Sequence, residues 1–455
     1  MKLFYLLHLY QEPYLLCSTL PDTALIYFYE ENAIMRVLII NTSEHIGGAA
    51  IAANRLMEAL RDNGIRVKML VRDKQSEQMT VVSIGSGWML PVKFLWERLV
   101  IFVANKFSRR NLFQVDIANT GTDVTNLPEF QQADIIHLHW MNQGFLSLSD
   151  IERIIDSGKP IVITMHDMWY FTGICHYSGN CNRYKEECHN CPLLTDGGWG
   201  KDIATKVFRK KQELYKKTKL TFVGCSRWIA SLASESALTV GHKIISIPNA
   251  IDTNLFRPMD RDAARHACNL PTDKLLILFG SQRITDERKG FKYLVEACEI
   301  IKKKHPHLAS KIGIVVVGGD SNKVASLLPL PVYPVSYVKD EHDMVELYNA
   351  VDIYVTPSLQ DNLPNTIVEA MSCGVPCVGF NIGGIPEMID HLHNGYVAEY
   401  CKAEDFANGV CWALQKDNYK GLCDAARRKA LATYSESNVS RKYIEIYNKA
   451  LDIKA

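Results

Sequence analysis

Two carboxylates, Asp361 and Glu369, stand with seven residues between them in the stretch Pro357-Ser358-Leu359-Gln360-Asp361-Asn362-Leu363-Pro364-Asn365-Thr366-Ile367-Val368-Glu369-Ala370-Met371-Ser372-Cys373-Gly374-Val375-Pro376. A strand over Asp352 to Thr356 leads in. Pro364 suits the first turn of a helix, where a missing N–H costs nothing, and Gly374 suits its C-terminal cap. Loop amides and a helix N-terminus together make a site for anions, phosphates above all. Asp361 then sits in the loop at the site mouth and Glu369 one to two turns into the helix. A carboxylate there can accept two hydrogen bonds from a vicinal diol such as a ribose. Diphosphate plus ribose means a nucleotide. Read in isolation, the same stretch is also an ordinary strand–loop–helix unit with surface acids.

Other chemistry-bearing residues fall at similar places. Ser43-Glu44-His45-Ile46-Gly47-Gly48-Ala49-Ala50 ends a first strand, where Gly47 and Gly48 allow close backbone approach to a ligand. His166 and Asp167 follow a strand over Ile161 to Met165. His137 and His139 alternate with apolar residues and so share one face of a strand, with Asn142 just beyond. Phe279-Gly280-Ser281-Gln282-Arg283 precedes Arg288-Lys289-Gly290-Phe291, and Gly383-Gly384-Ile385-Pro386-Glu387 follows another strand.

The Asp361–Pro376 stretch resembles the signature of retaining GT-B glycosyltransferases of the family-4-like type (glycosyl transferases group 1), found in bacterial surface polysaccharide biosynthesis. Their pattern is Glu, seven residues, Glu, then Ala-Met and Gly-x-Pro; here the first acid is Asp361, one methylene shorter. The resemblance runs from about Met35 to the C-terminus. It implies that Glu369 holds the donor ribose, and that Asp361 and His166 lie at the donor sugar, the His as a positioning and polarising group. Asp167 either orients His166 or caps the next segment. The resemblance also implies that Lys289 and Arg283 clamp the diphosphate, although their spacing is one residue longer than the commonest form, which leaves Arg288 as a substitute. Gly47, Gly48, Asn362, Leu363, Gly383 and Gly384 would line the donor site. His139 and Asn142 would border the acceptor pocket, and His137 is structural. Glu387 either belongs to the donor pocket or is a first-turn acid favouring a helix dipole.

The activity implied is transfer of a sugar, with retention, from a nucleoside diphosphate donor to a hydroxyl of a glycan or lipid-linked acceptor in surface polysaccharide synthesis. No cofactor is required for that chemistry, because fixed cations can neutralise the leaving diphosphate. The alternatives are a GT-B-like sugar-nucleotide epimerase and a non-catalytic sugar-nucleotide-binding protein. A NAD-dependent dehydrogenase is disfavoured, since the first loop lacks a full G-x-G-x-x-G.

Short apolar strands alternate with helical patterns, which implies an α/β protein of two Rossmann-like doubly wound domains facing a cleft, the GT-B fold. Expected strands are Val37 to Asn41, Val67 to Val71, Ile135 to His139, Ile161 to Met165, Thr221 to Gly224 and Lys243 to Ile247. In the second half they are Leu275 to Gly280, Ile312 to Gly318, Ile353 to Thr356 and Cys377 to Phe380. Helices are expected over Ala49 to Arg61, Phe291 to Lys304 and Asp343 to Ala350. Pro248 and Pro258 flank a non-regular join. The domains are then 35–247 for the acceptor and 248–435 for the donor. A last helix within 436–455, carrying Tyr443, Ile446 and Tyr447, packs back on the first domain. Residues 1–34 read as a poorly structured extension or as sequence upstream of the true start, so their deletion should leave activity intact.

Four of the 13 cysteines, Cys175, Cys181, Cys188 and Cys191, fall in a loop over 172–199. Loops this long without regular structure are uncommon unless something organises them. Four thiolates around a structural Zn²⁺ would do so, with His176 and His189 as substitute ligands. Two disulfides and four unrelated thiols are the rivals. The other cysteines, Cys225 among them, read as small core residues.

Hydrophobic residues at 47% provide for large cores, and a net charge of +1 argues against nucleic acid as a partner. No apolar run reaches the length of a membrane span. The expected location is cytoplasmic, with a peripheral contact at the inner face of the cell membrane as a further expectation. The basic stretch Lys201 to Lys219 is either a solvated helix face or the element that makes that contact.

Overall fold

The structure is a computed structural model that describes residues 35–85, 89–195, 202–338 and 340–452. The proposed extension 1–34, the end of the Cys-rich loop from 196 and Lys201 lie outside those residues.

Seven parallel strands form the first sheet: β1 (Arg36–Ser43), β2 (Arg66–Asp73), β3 (Val81–Ser83), β4 (Ile135–Leu138), β5 (Ile161–Met165), β6 (Thr221–Gly224) and β7 (Lys243–Ser246). Their spatial order is β3-β2-β1-β4-β5-β6-β7. Six more form the second: β8 (Leu275–Arg283), β9 (Ile312–Gly319), β10 (Val332–Val335), β11 (Ile353–Thr356), β12 (Cys377–Phe380) and β13 (Gly395–Ala398), in the order β10-β9-β8-β11-β12-β13. Strands covered on both faces read as unbroken Val/Ile runs, because neither face meets water. β1 shows it: every residue after Arg36 is buried. It registers Ile39 against Met69 on one side and His137 on the other.

Three strands were not among those expected from sequence: β3, β10 and β13. All three are short sheet edges. Half-exposed edges lack the apolar run that marks central strands, and β10 even contains Pro334, which a sheet tolerates only at an edge or bulge. Elsewhere the limits moved by a few residues; β8 runs on to Arg283 through an irregularity after Gly280.

Each sheet reverses its winding once, between β1 and β4 and between β8 and β11. Open α/β sheets bind ligands outside the carboxyl ends of strands at such a reversal. The loops there are Ser43–Gly48 with His139–Asn142 in one lobe, and Gly280–Gly290 with Pro357–Asn365 in the other. The linker pairs with the second lobe through Ile251, whose N–H donates to Tyr434 O at 2.9 Å. The helix Glu436–Asp452 then returns to the first lobe, where Val439, Tyr443, Ile446 and Tyr447 join Val37, Ile39, Leu56 and Met69 in one core.

Candidate active site

The signature loop leaves β11, passes Asp361 and enters the helix Asn365–Ser372, for which Pro364 is the N-cap and Gly374 (φ 76°) the residue just past the end. Asp361 is buried and its Oδ2 lies 2.7 Å from Lys289 Nζ. Lys289 closes the short turn Glu287–Lys289, and Gly290 follows at φ 69°. A Cβ on Gly290 would stand 1.8 Å from Pro357 O, so only glycine lets the cation loop lie on the signature loop. Leu359 N–H donates to Arg288 O at 2.8 Å and joins the same two loops.

Arg283 and Arg288 part company here. Arg283 is exposed at the end of β8. Arg288 is half-buried, stacks over the Tyr177 ring at 5.4 Å and pairs with Asp286 at 3.3 Å. Burial disfavours its charge, but Tyr177, Asp361 and Asp286 together hold its pKa above the ordinary value.

Glu369 is buried one turn inside its helix. Tyr348 Oη donates to it at 2.8 Å, and Arg55 from the first lobe approaches at 2.9 Å. Arg55 also meets Glu341 at 2.6 Å and lies 5.0 Å from the centre of the Phe256 ring in the linker. Burial works against its charge, yet Glu369 and Glu341 raise its pKa above the ordinary value. Arg55 was missed from sequence. Its signal was there: it falls three residues after Ala52 and four before Ala59, on the buried stripe of the helix Gly48–Asp62.

Gly47 (φ 94°) and Gly48 open that helix, and Gly48 O accepts from Asn365 Nδ2 at 3.0 Å. The glycine turn of one lobe thus abuts the signature helix of the other. Gly383 and Gly384 serve close approach in a different way. A Cβ on them would meet Asp361 O at 1.8 Å and Asn362 O at 1.9 Å, so they support the signature loop from behind. Asn362 is a bridge between lobes: its Nδ2 donates to His166 O at 3.0 Å and its Oδ1 accepts from Ser226 Oγ at 2.5 Å. Leu363 is buried in the second lobe's core, which leaves its backbone as the part that can face a ligand. Glu387 accepts from the amides of Arg227 (2.8 Å) and Trp228 (2.6 Å), the first residues of the helix Arg227–Ser234, so it acts on a helix terminus in the opposite lobe.

His166 is half-buried beyond β5. Its Nε2 lies 2.9 Å from His139 Nδ1 and its Nδ1 lies 3.4 Å from Cys225 Sγ. Burial lowers its pKa to about 4, with Asp167 opposing, so the ring is neutral near pH 7. Asp167 does not orient it through a hydrogen bond; it accepts from Trp169 N–H (2.8 Å) and Trp140 Nε1 (2.9 Å) and meets His176 Nδ1 at 2.7 Å. Cys225, read from sequence as core packing, is a neighbour of this histidine. His137 and His139 do share a face, with ring centres 4.3 Å apart. His137 bonds Thr164 and Tyr447, each at 2.7 Å.

His139 and Asn142 are not an open border of a groove: each is only 1% exposed. Their place is under the reversal of the first sheet, and His139 Nε2 and both side-chain amide atoms of Asn142 have no partner there. Sequence alternation placed these side chains on one strand face but carried no information on what covers it.

With this geometry in hand, comparison with known proteins is informative. Residues 46–255 match the family described as Glycosyltransferase Family 4, and residues 273–416 the one described as Glycosyl transferases group 1. A D-inositol 3-phosphate glycosyltransferase of Saccharomonospora viridis is 24% identical over 217 residues, 45% of this chain and 50% of that protein. The chain spans about half the length of the first curated relatives it matches. Among solved structures, sucrose-phosphate synthase of Thermosynechococcus elongatus superposes with TM-score 0.65 at 16% identity, over 92% of this chain and 100% of that one. Anabaena HepE in complex with UDP and glucose gives 0.59 at 15%, over 91% and 100%. The chain thus carries a stretch similar to Glycosyltransferase Family 4 followed by one similar to Glycosyl transferases group 1, in the two-lobed GT-B fold of those solved structures.

Proposed function

We propose that the protein moves a sugar from a nucleoside diphosphate to a hydroxyl of a glycan or lipid-linked acceptor, with retention, in surface polysaccharide synthesis. The observation that carries this reading is the convergence of Lys289, Asp361 and Glu369 from the second lobe with Gly48 and His166 from the first. Glu369 takes the ribose hydroxyls; Lys289, with Arg288 or Arg283, takes the diphosphate. The bond from the anomeric carbon to the diphosphate oxygen breaks while the acceptor oxygen attacks the same face. The acceptor proton passes to the departing phosphate oxygen. Cations fixed beside that oxygen favour the transition state over the ground state, since charge grows there as the bond breaks. Neutral His166, its Nε2 taken by His139, would reach the sugar through Nδ1 by giving up the longer contact with Cys225 Sγ.

UDP sugars are the donors to try first, given the ligands bound to the Anabaena relative. Purified protein is incubated with UDP- and GDP-sugars, and nucleotide release is followed with and without lipid-linked oligosaccharide. Acceptor-dependent release with a product of unchanged anomeric configuration by NMR supports the reading. Epimerised donor without acceptor sinks it.

A lipid-linked acceptor brings the enzyme to a membrane. Among the described residues no helix is long and apolar enough to cross one. Much of the basic stretch near Lys219 is neutralised within the fold, which favours a solvated helix face there: Lys210 and Lys217 pair with Glu152, Arg209 pairs with Glu187, and Lys211 is buried. The helix Met89–Ala104 instead exposes Val92, Leu95 (62%), Trp96 (55%), Leu99 and Val103, and Phe107 (69%) and Phe113 extend the patch. Exposed Lys106, Arg109 and Arg110 are interleaved with those two phenylalanines. An apolar face flanked by basic residues fits an anionic lipid surface. Co-sedimentation with phosphatidylglycerol vesicles, lost in Leu95→Asp/Trp96→Asp, is the expected result; equal behaviour of the variant would remove this surface from the account.

A further inference from the structure

Between the turn Trp169–Phe171 and the helix Ile203–Lys216 the described chain has only the turn Arg183–Lys185 as regular structure. Cys175, Cys181, Cys188 and Cys191 all line one cavity there, of about 20 Å³. That is room for a single water-sized particle and too little for an organic ligand. None of the four is in a disulfide. We propose that this cavity is a structural zinc site whose ligands are the thiolates of Cys175, Cys181, Cys188 and Cys191.

Three observations beyond the spacing support it. A backbone amide is aimed at sulfur: Gly173 N–H donates to Cys188 Sγ at 3.3 Å. Such donors stabilise a thiolate far more than a thiol. Gly173 makes that approach feasible, since a Cβ would stand 2.8 Å from Ala204 O and 3.1 Å from Cys188 Cβ. The third is Lys211, which is 0% exposed. Its Nζ donates to the carbonyls of Trp169 (2.5 Å), Thr172 (3.1 Å) and Gly173 (3.0 Å) and stands 3.3 Å from the centre of the Trp169 ring. No carboxylate hydrogen-bonds it among the described residues. A buried ammonium without a counter-ion is costly. Zn²⁺ with four thiolates carries a net charge of −2 and supplies one.

The histidines of the loop are not substitutes of equal standing. Both ring nitrogens of His176 are engaged, by Asp167 and Asp116 at 2.7 Å each, and His189 is exposed at the cavity rim. The sulfurs rim the cavity without converging as they stand; no three His, Cys, Asp or Glu side chains do so among the described residues. Binding a metal would require side-chain rotation to draw them inward. Four Cys–SH and one Zn²⁺ give the tetrathiolate and four released protons, with no change of oxidation state. The site bears on the cleft because His176 and Tyr177 lie between the first two ligands. His176 O accepts from Met168 N–H at 2.9 Å, and Tyr177 lies under Arg288. Zinc would hold the segment that braces both the strand end carrying His166 and the cation loop.

The full chain, purified reduced, without chelator or added metal, is the test. Expected are about one zinc per chain by elemental analysis, its release in step with mercurial titration of thiols, and the intense absorption of a tetrahedral tetrathiolate after exchange for Co²⁺. Cys188→Ser/Cys191→Ser should lose the metal; should that variant misfold, the wild-type metal content and Co²⁺ spectrum still decide. Lys211→Met should speed zinc loss to a chelator several-fold, and a wild-type rate would overturn the counter-ion role. Wild-type protein without zinc, its four thiols free or paired as two disulfides by mass spectrometry, overturns the site itself. None of these readouts depends on sugar transfer.

Discussion

Lys289 and Asp361 form an ion pair in the cleft, so a bound diphosphate competes with a carboxylate for the same ammonium. Removing that cation leaves leaving-group charge unmatched. Lys289→Ala should therefore lower kcat/KM by about 10²–10³-fold, measured by nucleotide release, and lower the melting temperature too, since buried Asp361 loses its cation. His166 allows a pH test. Its proton affinity is lower folded than unfolded, where a free imidazole titrates near 6.5. Neutral His166 thus contributes stability in full above about pH 6.5, and that contribution fades as acidification proceeds toward its folded pKa of about 4. An NMR titration of the ring, assigned with His166→Asn, should show a midpoint near 4; a midpoint near 6.5 would contradict the buried, neutral ring. Arg55 was not legible in sequence; Lys289, Asp361, Glu369, Gly48 and His166 were, as residues of one cleft. Their contacts were not: nothing local tells that Asp361 meets Lys289, or that His139 spends a nitrogen on His166 from another strand.

At the scale of elements, central strands were legible because burial on both faces demands continuous apolar runs; three of the four edge strands, which lack that demand, were not, β7 being the exception. The same logic explains the loops. Gly290 stood in the sequence only as the residue after Lys289, yet its left-handed φ and its close approach to Pro357 decide how two loops stack. Gly290→Ala should cost about 2 kcal/mol or more in denaturant melts and lower turnover with it. Arg55 is the comparable case among helices. It ties Glu369 and Glu341 to the opposite lobe, so Arg55→Leu should keep the helix, raise the donor KM several-fold and increase the radius of gyration by solution scattering. An unchanged KM and radius would show that the pair is incidental to closure.

Over the whole molecule, the two lobes are linked by more than their join. Asn362 and Glu387 bind the first lobe from the second, and Tyr443 and Tyr447 of the last helix are buried in the first lobe beside His137. Tyr447→Ala should cost about 3–5 kcal/mol, as aromatic truncations in cores do, and calorimetry of the wild type should show the lobes melting as one transition rather than two.

The returning helix has a further consequence, one of timing. On a ribosome, the first lobe is complete in sequence some two hundred residues before the segment that roofs β1 and β2 emerges. Until then Val37, Ile39 and Met69 face a gap. A nascent chain halted in the second lobe is therefore a natural client for chaperones and proteases.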